Sequence, residues 1–120
     1  MPTGNCTVRI QNNTGAAITR TDFHVTNGAW NQQPPVTVAA GASSGNFQMS
    51  YNFQPPADSQ FDMHYSIPGQ QTHFTAAAII EQPGGGTVTC TPSGAGPGQH
   101  HVTFNVSGTA PNFTVLFTFN

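Results

Sequence analysis

Phe47-Gln48-Met49-Ser50-Tyr51-Asn52-Phe53 and Phe61-Asp62-Met63-His64-Tyr65-Ser66-Ile67 decide the fold. In each run a large apolar or aromatic residue alternates with a polar one. A period of two places Phe47, Met49, Tyr51 and Phe53 on one face of a strand, and Phe61, Met63, Tyr65 and Ile67 on one face of the next. Gln48, Ser50, Asn52, Asp62, His64 and Ser66 fall on the opposite faces and expect water. Two such strands cannot cover their own apolar faces, so a second sheet must pack on them.

The rest of the chain repeats this pattern. A first strand is expected over 6–11, with Cys6, Val8 and Ile10 inward, followed by an Asn12-Asn13-Thr14-Gly15 turn. A second is expected over 17–25, where the phase changes near Asp22 and implies a bulge. Asn27-Gly28 turns the chain, and Trp30 opens an irregular stretch through Asn31, Gln32, Gln33, Pro34 and Pro35. Val36 and Val38 make a short strand before the Ala40–Gly45 loop, and Pro55-Pro56 forces a wide connection between the two central runs. Further strands are expected over 73–80, 87–91, 101–107 and from Phe113 to the last residue. The Gln82–Gly86 segment reads as a turn and 92–99 as a flexible loop. The Ala-rich 76–80 run could be helical by propensity, but its short span between breakers makes it a strand. The whole is expected to be all-β: one domain, residues 1–120, an antiparallel β-sandwich of about eight or nine strands.

Composition narrows the function. Only 5% of residues are charged, against about 25% in an average globular protein. There is no Lys; Arg9 and Arg20 face Asp22, Asp58, Asp62 and Glu81. That leaves no footprint for a nucleic-acid backbone and no polybasic attraction to anionic lipid. Any membrane partner must be a neutral lipid. No 18-residue apolar run and no leader with a charged and an apolar region is visible. A Thr- and Asn-rich, Lys-free surface points to a secreted or extracellular protein.

Chemistry is sparse. The four acids are scattered and make no facing glycosidase pair, and no nucleophile elbow or Cys–His pairing can be placed. No catalytic residue is expected, and no enzyme. Five histidines are present, with His64 beside Asp62 and Ser66 on a polar face, but no H-x-H or H-x3-H spacing marks a metal site. They read as exposed polar side chains, so no metal and no cofactor is expected. Cys6 and Cys90 both phase inward. They either form a disulfide, which would remove roughly 4–5 kcal/mol of unfolded-state freedom, or remain buried thiols. Asn5, Asn12, Asn105 and Asn112 head glycosylation-type triplets, common by chance in such a composition.

Val8-Arg9-Ile10-Gln11-Asn12-Asn13-Thr14-Gly15, then Asn27-Gly28-Ala29-Trp30, then the run from Pro34 to Ser44, and later Met63–Ile67 and Pro83-Gly84, give the chain a pattern that resembles the small aegerolysin-like proteins of fungi and bacteria, including bacterial crystal-protein-type relatives. The resemblance implies a β-sandwich that recognises membrane lipids, often in sphingolipid or sterol domains, with some members needing a larger pore-forming partner to lyse cells. One departure is plain: Trp30 is the only tryptophan, where lipid-binding members are rich in Trp and Tyr.

Trp30 either plugs the mouth of the sandwich or turns an amphipathic ring towards a sugar or lipid headgroup. The expected contact rim is Trp30 with Tyr51 and Phe53, with the Tyr65 hydroxyl reaching it from a strand end. The leading expectation is a non-enzymatic, secreted toxin or defence component that binds a neutral membrane lipid or cell-surface ligand. The alternatives are a lectin or carbohydrate-binding module that takes a cell-surface glycan, and a structural protein that forms homo-oligomers through unprotected sheet edges.

Overall fold

Strands dominate because almost every apolar residue recurs at the strand period. The computed structural model describes residues 3–52, 58–69, 72–81, 87–90, 93–95, 100–109 and 112–120. Along them lie β1 (Thr3–Asn12), β2 (Ile18–Thr26), β3 (Gly28–Trp30), β4 (Thr37–Val38), β5 (Ser43–Asn52), β6 (Ser59–Ser66), β7 (His73–Glu81), β8 (Thr87–Cys90), β9 (Ser93–Ala95), β10 (Val102–Thr109) and β11 (Asn112–Phe119). The first sheet has the order β10-β11-β1-β5-β3, and the second β4-β2-β6-β7-β8 with β9 also on β7. The fold is therefore the expected all-β sandwich. No helix occurs among the described residues.

Several local expectations are corrected. The sheets are not wholly antiparallel, since β1 runs parallel to β11 from Asn5↔Asn112 to Asn12↔Phe119. Among the described residues eleven strands form, because three pieces of two or three residues add to the eight longer ones. Trp30 is not in irregular structure: it closes β3, where Gly28, Ala29 and Trp30 pair with Tyr51, Ser50 and Met49. Part of the expected 92–99 loop is β9, paired with Thr75, Phe74 and His73. The anticipated bulge in β2 is present as a register shift between Arg20 and Asp22. The 53–57 and 82–86 connections lie outside the described residues.

The core follows the alternation. In the first sheet, Cys6, Val8, Ile10, Phe47, Met49, Tyr51, Val115, Phe117 and Phe119 are buried; in the second, Ile18, Phe61, Met63, Tyr65, Phe74, Ala76, Ala78 and Ile80 face them. Rings lock the two layers. Phe61 meets Phe117 edge-on at 6.5 Å, and Phe119 sits between Tyr65 at 5.7 Å and Phe74 at 4.9 Å. The Ala76 and Ala78 positions in β7 leave room for these rings. Cys6 and Cys90 are both buried, as their phase implies, but they are free thiols and not a disulfide. β1 lies inside the first sheet while β8 is at the margin of the second.

One buried polar residue ties the corner. Asn12 is fully buried, yet all its side-chain valences are used. Its Nδ2 donates to the carbonyls of Ala16 at 2.8 Å, Val38 at 3.0 Å and Ala39 at 3.2 Å. Its Oδ1 accepts from the Thr14 amide at 3.0 Å and the Thr14 hydroxyl at 2.7 Å. A short side chain bonding the backbone two residues on is how Asn builds a turn. Here the same amide also holds the segment that follows β4. A buried, fully bonded Asn12 is closed to glycosylation in the folded protein.

Candidate functional site

The aromatic rim comes first. β2 belongs to the second sheet and β3 to the first, so the chain crosses between layers at Asn27, whose φ of 55° makes the turn. Asn27 is held by its own Nδ2 donating to the Asp58 carbonyl and by Ser59 Oγ donating to the Asn27 carbonyl. Gly28 then packs flat on β5: a Cβ there would collide with the Ser50 carbonyl oxygen. This close approach turns Trp30 inward between the sheet margins. Its ring meets Phe47 of the first sheet at 5.9 Å and Phe61 of the second at 5.3 Å. Trp30 is half-buried and bridges the layers as a plug. Its Nε1 is buried and has no hydrogen-bond partner among the described residues.

The tyrosines do not join that rim. Tyr51 is 1% exposed and Tyr65 0%, because both stay in phase with their strands' inner faces. The Tyr65 hydroxyl donates to the Pro35 carbonyl at 2.6 Å, and Arg20 donates from Nη1 to the Pro34 carbonyl. Together they clamp the Pro34-Pro35 segment, which the missing proline amides could not fix by themselves. Burial raises the Tyr65 pKa, partly opposed by the nearby Arg20 charge. Burial likewise pushes Tyr51 up to about 12. Phe53 lies outside the described residues.

The outer face of the first sheet carries a ladder of uncharged groups beside Arg9, whose Nε donates to Ser43 Oγ at 2.7 Å. Asn31 Nδ2 donates to Ser50 Oγ at 2.6 Å, Ser50 Oγ to Asn5 Oδ1 at 3.0 Å, and Asn5 Nδ2 to Asn112 Oδ1 at 3.5 Å. Gln48 Nε2 joins Thr7 Oγ1 at 3.3 Å. Amides and hydroxyls therefore cross four strands, β3's continuation, β5, β1 and β11, with no formal charge among them.

The outer face of the second sheet differs. The β2–β6 register sets His24 opposite Asp62 and Asp22 opposite His64. Asp62 and His64 are two apart in β6 and share its outer face. One carboxylate oxygen, Asp62 Oδ2, lies 2.9 Å from His24 Nδ1 and 2.6 Å from His64 Nε2. On their far sides, His24 Nε2 is 3.4 Å from Asp22 Oδ2, and His64 Nδ1 is 3.2 Å from Thr75 Oγ1. The His24 pKa is raised, first by the hydrogen bond to Asp62, then by the Asp62 and Asp22 charges. A protonated His24 donates to both carboxylates, whereas a neutral ring would turn a bare nitrogen towards one of them. A shallow cavity of about 380 Å³ adjoins this face, lined in part by Thr21, Asp22, His64, His73 and Thr75.

Sequence reading placed His64 beside Asp62 but missed His24 and Asp22 as their neighbours. No spacing motif could reveal it, because the cluster is made across strands that lie 38 residues apart at His24 and Asp62. The signal available was the polar phase of both strands.

No protein-family model matches the chain, and no curated protein matches it. Among solved structures it is similar to the lipid-binding protein Nakanori, with a TM-score of 0.77 at 12% identity over 98% of this chain and 71% of Nakanori. At that identity the likeness is one of fold.

Proposed function

We propose that this protein is a non-enzymatic lipid-binding sandwich that recognises a neutral membrane lipid. The observation that carries the reading is the shared architecture: nearly the whole chain superposes on a protein described as lipid-binding. Two features favour a neutral headgroup. The chain has only two permanent cations and no Lys, so Coulombic attraction to anionic bilayers is absent. The first sheet's outer face offers amides and hydroxyls suited to hydrogen bonding without charge. Trp30 and Phe53 are the proposed contact residues, Trp30 through the exposed part of its ring; Tyr51 and Tyr65 drop out because they are buried. The finer reading is of a secreted toxin or defence component that acts with a pore-forming partner.

Co-sedimentation with vesicles tests this. Phosphatidylcholine vesicles, with and without sphingomyelin and cholesterol, should pellet the protein, and phosphatidylserine should add nothing. Trp30 is the sole tryptophan, so its emission should shift on binding. Trp30→Phe keeps an aromatic plug but presents a smaller ring at the rim, and should weaken pelleting. No pelleting with any neutral composition overturns the proposal. Retention on a glycan array without vesicle binding would move the assignment to a cell-surface sugar.

A further inference from the structure

We propose that His24, Asp62 and His64 form a three-ligand site for a divalent first-row transition-metal ion on the outer face of the second sheet. The three residues each offer one ligand atom, and those atoms lie within 4.8 Å of one another. Two imidazoles and one carboxylate suit zinc and its neighbours, whereas calcium and magnesium ask for oxygen donors.

The geometry supports more than proximity. Bonds of about 2.0–2.2 Å in a tetrahedron separate ligand atoms by about 3.3 Å. The present separations from Asp62 Oδ2 are 2.9 Å to His24 Nδ1 and 2.6 Å to His64 Nε2. Entry of an ion requires both to open by well under 1 Å, which small side-chain rotations supply. His24, Asp62 and His64 are 59%, 30% and 35% exposed at their side chains, so they are free to move and an ion can reach them. The backbone need not move, since β2–β6 pairing already sets the three side chains on one face.

The outer contacts match what a metal site needs. A ligating imidazole is oriented by a partner on its other nitrogen. His24 would ligate through Nδ1 and turn Nε2–H to Asp22 Oδ2; His64 would ligate through Nε2 and turn Nδ1–H to Thr75 Oγ1. The Thr21 hydroxyl also donates to the His64 carbonyl at 3.2 Å, which steadies that part of β6. Three protein ligands leave a coordination position for water or another oxygen donor. This inference does not depend on lipid binding.

Calorimetric titration of the full chain with Zn²⁺ at neutral pH, and Co²⁺ visible absorption, test it. The expected result is one ion per chain in the micromolar range, with Co²⁺ bands of low-symmetry, imidazole-bearing coordination. Asp62→Asn, His64→Gln and His24→Gln should each lower the affinity by about 100-fold or more, and Thr75→Val by about 10-fold. His101→Gln, outside the cluster, should change nothing. Far-ultraviolet circular dichroism confirms that each variant is folded; the exposed His24 keeps the test usable if Asp62→Asn does not fold. No binding by the wild type, or binding that the folded His24 and His64 variants retain, overturns the proposal.

Discussion

Asn12 and Asp62 each gather several polar partners, but under opposite conditions. Asn12 is fully buried at the β1–β2 corner, and every donor and acceptor of its amide is satisfied by neighbouring backbone or Thr14. Asp62 is about a third exposed, and its Oδ2 is shared by two imidazoles that have further partners of their own. Where water is excluded, an unmatched polar atom costs about 1–3 kcal/mol, so a buried hub must be complete and cannot easily change partners. Where water is present, contacts can be exchanged at little cost, so a surface hub can take a proton or an ion. The first cluster holds the fold; the second is available for chemistry.

The contrast can be broken most sharply at Asn12. Asn12→Leu would strand three carbonyls and the Thr14 amide, and should destabilise the protein by about 3 kcal/mol or more. Urea denaturation with an unchanged slope would show this as a lower midpoint. A loss below about 1 kcal/mol would mean that the corner does not depend on the amide.

Alkali probes buried groups next. Burial pushes the Cys6 thiol up to about 12, with the Cys90 charge adding to it, and burial takes Cys90 to about 11 and Tyr51 to about 12. A pKa raised in the folded state favours the protonated form there. The stability involved is intact below the unfolded values near 9 and 10 and is lost as pH rises towards 11–12. Roughly 1 kcal/mol per thiol should be gone by about pH 10, seen as a falling thermal midpoint between pH 9 and 11.

A smaller effect is expected at the sheet margin. β10 is an edge strand without a charged residue, and its Phe104 is 46% exposed. Phe104→Lys should change stability by less than about 0.5 kcal/mol while lowering concentration-dependent light scattering. The smallest effect on folding is expected at Asp62 itself. Asp62→Asn should shift the urea midpoint by less than about 1 kcal/mol in the absence of metal. A large shift would place the His24–Asp62–His64 cluster with Asn12 as a folding element.

Much of this was legible from alternation. The period of two assigned Phe47, Met49, Phe61 and Met63 to the interior, and the phase break near Asp22 marked the bulge. It also turned Cys6 and Cys90 inward, although phase alone says nothing of whether two thiols are joined. Local patterning is silent about which strands become neighbours, so neither the parallel β1–β11 pair nor the His24–Asp62 pairing could be read. Trp30 misled because its surroundings are rich in Gly, Asn, Gln and Pro. Gly28 there serves the close approach that docks β3 on β5. Tyr51 and Tyr65 had the right phase for burial; an expected reach to the rim was overridden by the Tyr65 bond to Pro35.

The parallel pairing of β1 with β11 has a kinetic consequence. Asn5 and Asn112 are 107 residues apart, so β1 must wait for β11 before one of its flanks is covered. Loop-closure entropy of that size is met late, and chains dominated by such distant contacts refold in milliseconds to seconds. Until then β1 is held by β5 alone, with its other row of amides and carbonyls open to any strand that arrives first.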